Sequence, residues 1–245
     1  LDPILNQRSW KLCGILNGID TDSYNPETDQ AIWANYNADD FSNKSKNKEE
    51  LQKTMGLAVR PEVPLVGIVT RLVGHKGVDL MREVLEKSLW ERDIQYVVLG
   101  SGEWQYESFF RELHDKYPDK VGLRLGFVPD LARKIYAGAD MFLMPSKSEP
   151  CGLSQMVALR CGTLPIVRET GGLRDSVSDS GDGEGNGFTF KTYNAYDMLG
   201  AIYRAVDAYN NKEYWPVLVE RALRCDMSWG KSANEYIKMY KSLLK

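Results

Sequence analysis

The sequence predicts an α/β fold in which helices cover both faces of a doubly wound parallel sheet. Short apolar segments without polar alternation, at 64–70 and 94–99, are typical of strands buried on both faces. Helical segments separate these strands, and at least five such strand–helix units follow one another. Right-handed crossovers between parallel strands then give a doubly wound sheet.

The first fifth of the chain is less regular than the rest. Residues 11–16 resemble a short buried strand, and Asn17 and Gly18 end it because both tolerate a positive φ. Residues 20–47 are polar and predict a surface excursion, with the lysine run at 43–48 exposed to solvent. A helix at 48–55 ends at Gly56, a residue favoured just beyond a helix.

From there the elements alternate. Helix 77–90 carries its apolar side chains on one face. Gly100 ends the strand that follows this helix, and Pro145 ends a later strand. We predict further strands at 64–70, 94–99, 121–126, 140–144, 163–167 and 187–190. We predict further helices at 77–90, 104–116, 129–137, 152–161, 172–177, 194–210, 213–224 and 230–244.

Composition excludes several classes of protein. The 245 residues carry a net charge of −3, so no basic excess indicates nucleic-acid binding. No stretch of about 18 apolar residues is present, which argues against a membrane span. Four cysteines without paired spacing favour reduced thiols in a cytosol, and two histidines make a His-rich metal site improbable. Because the chain begins at Leu1, we interpret it as part of a longer protein.

Ligands of such sheets bind at the carboxyl ends of the strands, which directs attention to the turns there. The turn after strand 64–70 places Arg71 and Lys76 in a glycine-containing loop that opens a helix. A guanidinium and an ammonium at a helix N-terminus suit a diphosphate. The alternative, equally compatible with the spacing, is a structural ion pair for Arg71 and a solvent-facing Lys76.

Three other turns carry candidate ligand groups. Glu149 precedes a helix start at Gly152, and its carboxylate suits sugar hydroxyls. A lone carboxylate there would only complement the helix dipole, but its place after a buried strand, opposite the loop of Arg71 and Lys76, favours a ligand. Gly171 and Gly172 open another helix and favour an anion. Phe127 ends a strand where it could stack on a base, but an ordinary core Phe is the better interpretation from sequence alone.

Two glycine-rich segments predict no site. Residues 178–187 do not match the spacing of a calcium-binding loop and predict a mobile loop. Residues 100–103 lack the third glycine of a dinucleotide-binding fingerprint, which disfavours an oxidoreductase.

Four motifs together resemble bacterial glycogen synthases and plant starch synthases over essentially the whole chain. They are Asn17-Gly18-Ile19-Asp20, 71–77, Glu149-Pro150-Cys151-Gly152-Leu153 and 170–175. The resemblance implies a GT-B glycosyltransferase with two Rossmann-like domains. Residues 1–10 would end the amino-terminal domain, 11–225 would form the nucleotide-sugar-binding domain, and 226–245 would be a helix crossing back.

The same resemblance implies the reaction and its residues. Glucose would pass from ADP-glucose to the non-reducing end of an α-1,4-glucan with retention, without a cofactor or a metal. Arg71 and Lys76 would neutralise the diphosphate, and Glu149 would hold the glucose hydroxyls. Further contacts would come from Phe127 beside the adenine and from Cys151, Gly152, Leu153, Thr170, Gly171 and Gly172.

The sequence departs from the family pattern at named positions. Val157 stands where many related transferases carry a second Glu, and Ser148 where an aromatic residue is usual. The amino-terminal domain, expected as a partner, is missing, so we expect weak nucleotide binding and no turnover by this chain alone. A GT-B enzyme with a UDP-sugar donor and a non-catalytic nucleotide-sugar-binding module remain alternatives. The resemblance places the protein in the cytoplasm of a bacterium, or in a plastid for a plant homologue.

Overall fold

The computed structural model describes residues 2–244, apart from the side chain of Asp182, and contains six strands in one sheet. The strands are β1 (Leu65–Val69), β2 (Gln95–Gly100), β3 (Val121–Leu125), β4 (Met141–Met144), β5 (Leu164–Arg168) and β6 (Phe188–Phe190). The helices are α1 (Asp2–Gln7), α2 (Lys44–Thr54), α3 (Val78–Glu91), α4 (Trp104–Lys116), α5 (Pro129–Gly138), α6 (Ser154–Arg160), α7 (Gly171–Ser176), α8 (Ala195–Asn210), α9 (Tyr214–Leu223) and α10 (Trp229–Leu243). The predicted elements from residue 64 onward are all present, with boundaries that differ by one or two residues.

The sheet is parallel throughout and its strand order is β3-β2-β1-β4-β5-β6. The chain builds outward from β1 to β3, then returns to the other side of β1 with β4. The order reverses between β1 and β4, so the loops that follow these two strands meet at the crevice where such sheets bind ligands.

Both faces of the sheet are covered, as the unalternated strands predict. Along β2, Tyr96 and Val98 pack in the cluster formed with α3, α4 and α8, whereas Val97 and Leu99 pack in the cluster formed with α2 and α5. Successive strand residues point to opposite faces, so one strand supplies both cores. The doubly wound parallel sheet is therefore confirmed.

The predicted strand at 11–16 is wrong. Residues 12–18 have no regular secondary structure, and Leu12 and Cys13 are exposed. The segment is apolar enough to resemble a strand, but in the described chain it joins no sheet. Only Ile19 forms an isolated bridge, to Ser228.

The prediction that the lysine run at 43–48 is solvated is wrong for two of its three lysines. Lys44 and Lys48 are buried, whereas Lys46 is exposed. The Lys44 Nζ donates to the carbonyl oxygens of Ala137 at 2.9 Å and Cys161 at 3.1 Å. These oxygens end α5 and α6, so the lysine caps two helix C-termini, where a cation is favoured.

The described residues contain neither a candidate membrane span nor a candidate metal cluster. Among the helices of residues 2–244, none is long and apolar enough to cross a membrane. Within the same residues, no group of three or more His, Cys, Asp or Glu side chains is placed to hold a metal ion.

Candidate functional site at the switch point of the sheet

Two loops meet at the switch point, one after β1 (residues 70–77) and one after β4 (residues 145–153). The backbone N–H of Lys147 donates to the carbonyl oxygen of His75 at 2.9 Å. Gly77 has a φ of +79°, and a Cβ there would lie 2.2 Å from the carbonyl oxygen of Pro145. Only glycine permits this close approach, so Gly77 fixes the two loops against each other.

An ion pair joins the two loops. The Lys76 Nζ lies 2.5 Å from the Glu149 Oε2, and the two side chains are 19% and 11% exposed. The hydroxyl of Ser146 donates to the same carboxylate oxygen at 3.3 Å. Lys76 therefore does not face water freely, and the sequence interpretation that left it as a solvated residue is excluded.

Arg71 is exposed at the start of the β1–α3 loop. Within the described residues its guanidinium contacts the imidazole of His75, with Nη2 and Nε2 separated by 3.4 Å, and no carboxylate pairs with it. Its donors are thus available at the same crevice as the ammonium of Lys76. The predicted cation pair is brought together on one loop, with one member neutralised by Glu149.

The loop after β5 packs against the Glu149 loop through its glycines. The Gly172 N–H donates to the Glu149 carbonyl oxygen at 3.0 Å. A Cβ at Gly171 would lie 2.1 Å from that oxygen, and one at Gly172 would lie 2.0 Å from the Cys151 carbonyl oxygen. Thr170 is the N-cap residue of α7. The two glycines therefore let α7 begin directly behind Glu149.

Gln155 holds the backbone of the Glu149 loop from below. Its side chain is buried, and its Nε2 donates to the carbonyl oxygens of Cys151 at 3.1 Å and Gly152 at 2.9 Å. Gly152 has a φ of +70°, a conformation that L side chains rarely adopt. Sequence reasoning missed Gln155, because one polar residue in the first turn of a helix carries no distinguishing pattern.

A cleft of about 260 Å³ lies beside Arg71. It is lined by apolar and small residues at the carboxyl ends of β1, β2 and β3 and by one residue of α5, among them Val69, Leu99, Gly100, Gly126, Phe127 and Ala132. Phe127 is 90% exposed. The favoured sequence interpretation of Phe127 as a core residue is therefore wrong, and its ring is free to cover a flat ligand at the cleft mouth.

Arg168 and Tyr193 support the loops that follow β4 and β1, respectively. Sequence reasoning did not single out either residue. Arg168 donates through Nε to the Ser146 carbonyl oxygen at 2.9 Å and through Nη2 to that of Lys147. The Tyr193 hydroxyl donates to Asp79 Oδ1 at 2.6 Å. It also lies 3.2 Å from the Gly74 carbonyl oxygen.

The ring of Tyr193 joins the two sets of contacts. The Lys147 ammonium and the Arg168 guanidinium each lie 5.5 Å from its centroid. Desolvation, then the hydrogen bond to Asp79, raises the pKa of the Tyr193 phenol well above its usual value, so this hydroxyl stays protonated. Both loops of the ion pair are therefore held by one protonated tyrosine.

Comparison with known proteins identifies a matching family and several relatives. The model of the family "Glycosyl transferases group 1" matches residues 47–215. A glycogen synthase of Bacillus cereus (strain ATCC 10987 / NRS 248) is 51% identical over 247 positions, covering 100% of this chain and 52% of that protein. A glycogen synthase of Desulforamulus reducens is 50% identical, with 100% and 51% covered. The chain thus spans about half the length of these curated relatives.

Solved structures show the same fold. The catalytic domain of starch synthase IV from Arabidopsis thaliana, bound to ADP and acarbose, superimposes with a TM-score of 0.90 at 43% identity. The match covers 98% of this chain and 50% of that one. Anabaena HepE in complex with UDP-glucose, with a TM-score of 0.65 and 16% identity, shares the fold alone. The similarity to glycogen and starch synthases is confirmed, and the chain belongs to the glycosyl transferases group 1 family.

Proposed function

We propose that this chain is the donor-binding half of a retaining glucosyltransferase, which moves glucose from ADP-glucose to the non-reducing end of an α-1,4-glucan. The observation that carries the proposal is the Lys76–Glu149 ion pair at the switch point, with Arg71 on the same loop. The carboxylate proposed to bind the sugar and one of the cations proposed to bind the diphosphate then lie within ion-pair distance, as the adjoining sugar and diphosphate of the donor require.

The cations act on the leaving group. When the bond between glucose C1 and the phosphate oxygen breaks, negative charge builds on the diphosphate of ADP. Arg71 supplies a planar fork of donors and Lys76 a compact charge, both fixed by the loop before the reaction begins. Such pre-organised charge is a large term in catalysis, and we therefore propose that this role needs no metal or cofactor.

Glu149 holds the transferred sugar. Its carboxylate is 11% exposed and is oriented by Lys76 and Ser146, so it accepts hydrogen bonds from glucose hydroxyls in a fixed direction. The backbone at Cys151, Gly152 and Leu153, pinned by Gln155, supplies further donors. Thr170, Gly171 and Gly172 close this side of the pocket, and Phe127 covers the adenine in the cleft beside Arg71.

The binding site for the acceptor glucan and the second wall of the cleft would be formed by a partner domain. The relatives are about twice as long as this chain, and several large apolar side chains of α1 and α10 are exposed here. An amino-terminal GT-B domain fits both facts. A cytoplasmic location, or a plastid for a plant homologue, accompanies this proposal.

Calorimetric titration with ADP tests the proposal. We expect the chain to bind ADP, and the double variant Arg71→Ala/Lys76→Ala to lose at least tenfold in affinity because two charge-assisted contacts disappear. The matched control is Arg111→Ala/Lys116→Ala, which removes the same charge from α4, where both side chains are exposed. Equal affinity in both double variants would contradict a diphosphate at this loop.

The same titration separates the alternatives. ADP binding tighter than UDP binding supports the ADP-glucose donor, whereas the reverse order supports a UDP-sugar enzyme. Glucan synthesis is then assayed with the chain joined to the amino-terminal half of the Bacillus cereus glycogen synthase. Nucleotide binding without any transfer by the joined protein would favour a non-catalytic module.

A further inference from the structure

We infer that His75 is a third diphosphate-binding residue, and that it takes up a proton when the diphosphate binds. The inference rests on the proposed function and adds to it a proton-coupled step. His75 lies in the short helical turn Gly74–Lys76, between the two cations of the β1–α3 loop. Its side chain is exposed at the crevice, while its carbonyl oxygen is held by the N–H of Lys147.

The contact with Arg71 involves one ring nitrogen of His75. A guanidinium has only donors, so the atom 3.4 Å from its Nη2 must accept for the contact to be favourable. The His75 Nε2 accepts only in the neutral ring, whose proton is then on Nδ1. In this arrangement the imidazole orients Arg71 and carries no charge.

Charged groups from several elements face the turn that carries His75. Three cations and three carboxylates surround the turn: Arg71, Lys76, Lys147, Asp79, Glu103 and Glu149. Glu149 is paired with Lys76, and Asp79 accepts from Tyr193, so two of the carboxylates are already engaged. The phenols of Tyr106 and Tyr193 have pKa values raised by burial and contribute no charge near neutral pH.

A bound diphosphate would add negative charge to this set of groups. Its oxygens compete with the His75 Nε2 for the Arg71 donors and bring two or three negative charges to the ring. An opposite charge within about 4–6 Å favours the charged form of a titrating group. The released Nε2 then gains a proton and donates to the phosphate. Histidine is the side chain that ordinarily changes charge between pH 5 and 8, so the proposed uptake is sought in that range.

Proton NMR measures the uptake directly, because the chain has only two histidines. The ring signals of His75 and His114 are followed from pH 5 to pH 9 with and without saturating ADP, and His75→Gln assigns them. We expect ADP to raise the titration midpoint of His75 by about one pH unit. His114 is the internal control, because its Nδ1 lies 2.6 Å from the Val121 carbonyl oxygen and outside the crevice.

The affinity for ADP gives a second readout. Gln keeps an acceptor for Arg71 but cannot gain a charge, so the wild-type chain should outbind His75→Gln about fivefold at pH 6, with no difference at pH 8.5. ADP binding without a shift of the His75 midpoint would overturn the inference and leave the proposed function intact. Failure of the chain to bind ADP at all would overturn both.

Discussion

Lys44 stabilises the fold at the amino ends of β4 and β5 through the hydrogen bonds of one buried side chain. Its ammonium is buried, and it donates to Thr163 Oγ1 at 2.7 Å in addition to the two helix-ending carbonyl oxygens. Burial lowers the pKa of Lys44 from 10.5 to about 8, because the charged form is desolvated. The lysine therefore makes stability depend on pH between about 8 and 10.5.

The sign of that dependence follows from proton binding. Between pH 8 and 10.5 the unfolded chain binds the Lys44 proton and the folded chain does not, so this residue makes stability rise with pH. We expect the free energy of unfolding of the wild type, relative to Lys44→Met, to increase by on the order of 2 kcal/mol from pH 7.5 to 10.5. Urea unfolding of both proteins across this range measures it, and a constant difference would contradict the assignment.

Gly172 is a residue whose missing side chain determines a contact. A Cβ there would lie 2.0 Å from the Cys151 carbonyl oxygen, whereas one at Gly200, inside α8, meets nothing within 4 Å. We expect Gly172→Ala to lower stability by about 1–3 kcal/mol through overpacking. Gly200→Ala should raise it by up to about 1 kcal/mol, because alanine favours a helix interior.

Thermal unfolding of both glycine variants measures the contrast. ADP titration of Gly172→Ala then tests the site, since the displaced loop carries Glu149 and the affinity should fall with the stability. Equal melting temperatures for the two variants would show that the Thr170–Gly172 turn does not pack against the Glu149 loop as described.

At the scale of elements, burial explains what the sequence predicts well and what it does not. The strands from β1 to β6 are mostly apolar because helices cover both faces, and this pattern is readable without a structure. The segment 11–16 has the same composition but no neighbouring strand to pair with in the described chain. An apolar composition shows that a segment is suited to burial. Whether the segment pairs as a strand depends on which strands the topology places beside it.

Some residues of the candidate site can also be predicted from the sequence, whereas others cannot. Arg71, Lys76 and Glu149 are found because charged residues follow buried strands of a parallel sheet, and topology then brings them together. Gln155 and Tyr193 are missed because they act on backbone carbonyls and on other loops, which are contacts without a sequence spacing. Supporting residues of this kind are visible only when the loops are seen in three dimensions.

The contacts of the Tyr193 hydroxyl with Gly74 and Asp79 can be tested by removing that hydroxyl. Tyr193→Phe keeps the ring beneath Lys147 and Arg168 but removes the hydroxyl that contacts Asp79 and Gly74. We expect ADP affinity to fall about threefold to tenfold, because the β1–α3 loop loses its anchor. Calorimetric titration at a temperature where both proteins are fully folded gives the comparison.

Tyr203→Phe is the matched control for this variant. The Tyr203 hydroxyl of the wild type donates to Glu91 Oε2 at 2.5 Å, at the opposite end of α3 from Asp79. The chemical change is the same, but it lies about 18 Å away along the helix. If both variants lost stability alike and neither lost affinity, the hydroxyl of Tyr193 would serve the fold and not the loop.

At the scale of the whole molecule, the burial of helices is uneven. The core helix α8 has buried residues along its length, from Ala195 to Tyr209. In α10 the single buried residue among those described is Ser232, and Ile237 and Tyr240 are 48% and 58% exposed. Helical stability in water depends mainly on packing of an apolar face, so α10 has little to hold it in this chain.

Hydrogen–deuterium exchange tests this contrast and the proposed partner domain together. We expect the amides of 229–243 to exchange at least a hundredfold faster than those of 195–210, because local opening costs least where few apolar contacts are broken. Joining the chain to the amino-terminal half of the Bacillus cereus glycogen synthase should slow exchange in α10 and leave α8 unchanged. The variant Ile237→Asp/Tyr240→Asp should lose that protection, since charges replace the face that the partner covers. Fast exchange of α10 in the joined protein would mean that the exposed face of this helix is not where the two halves meet.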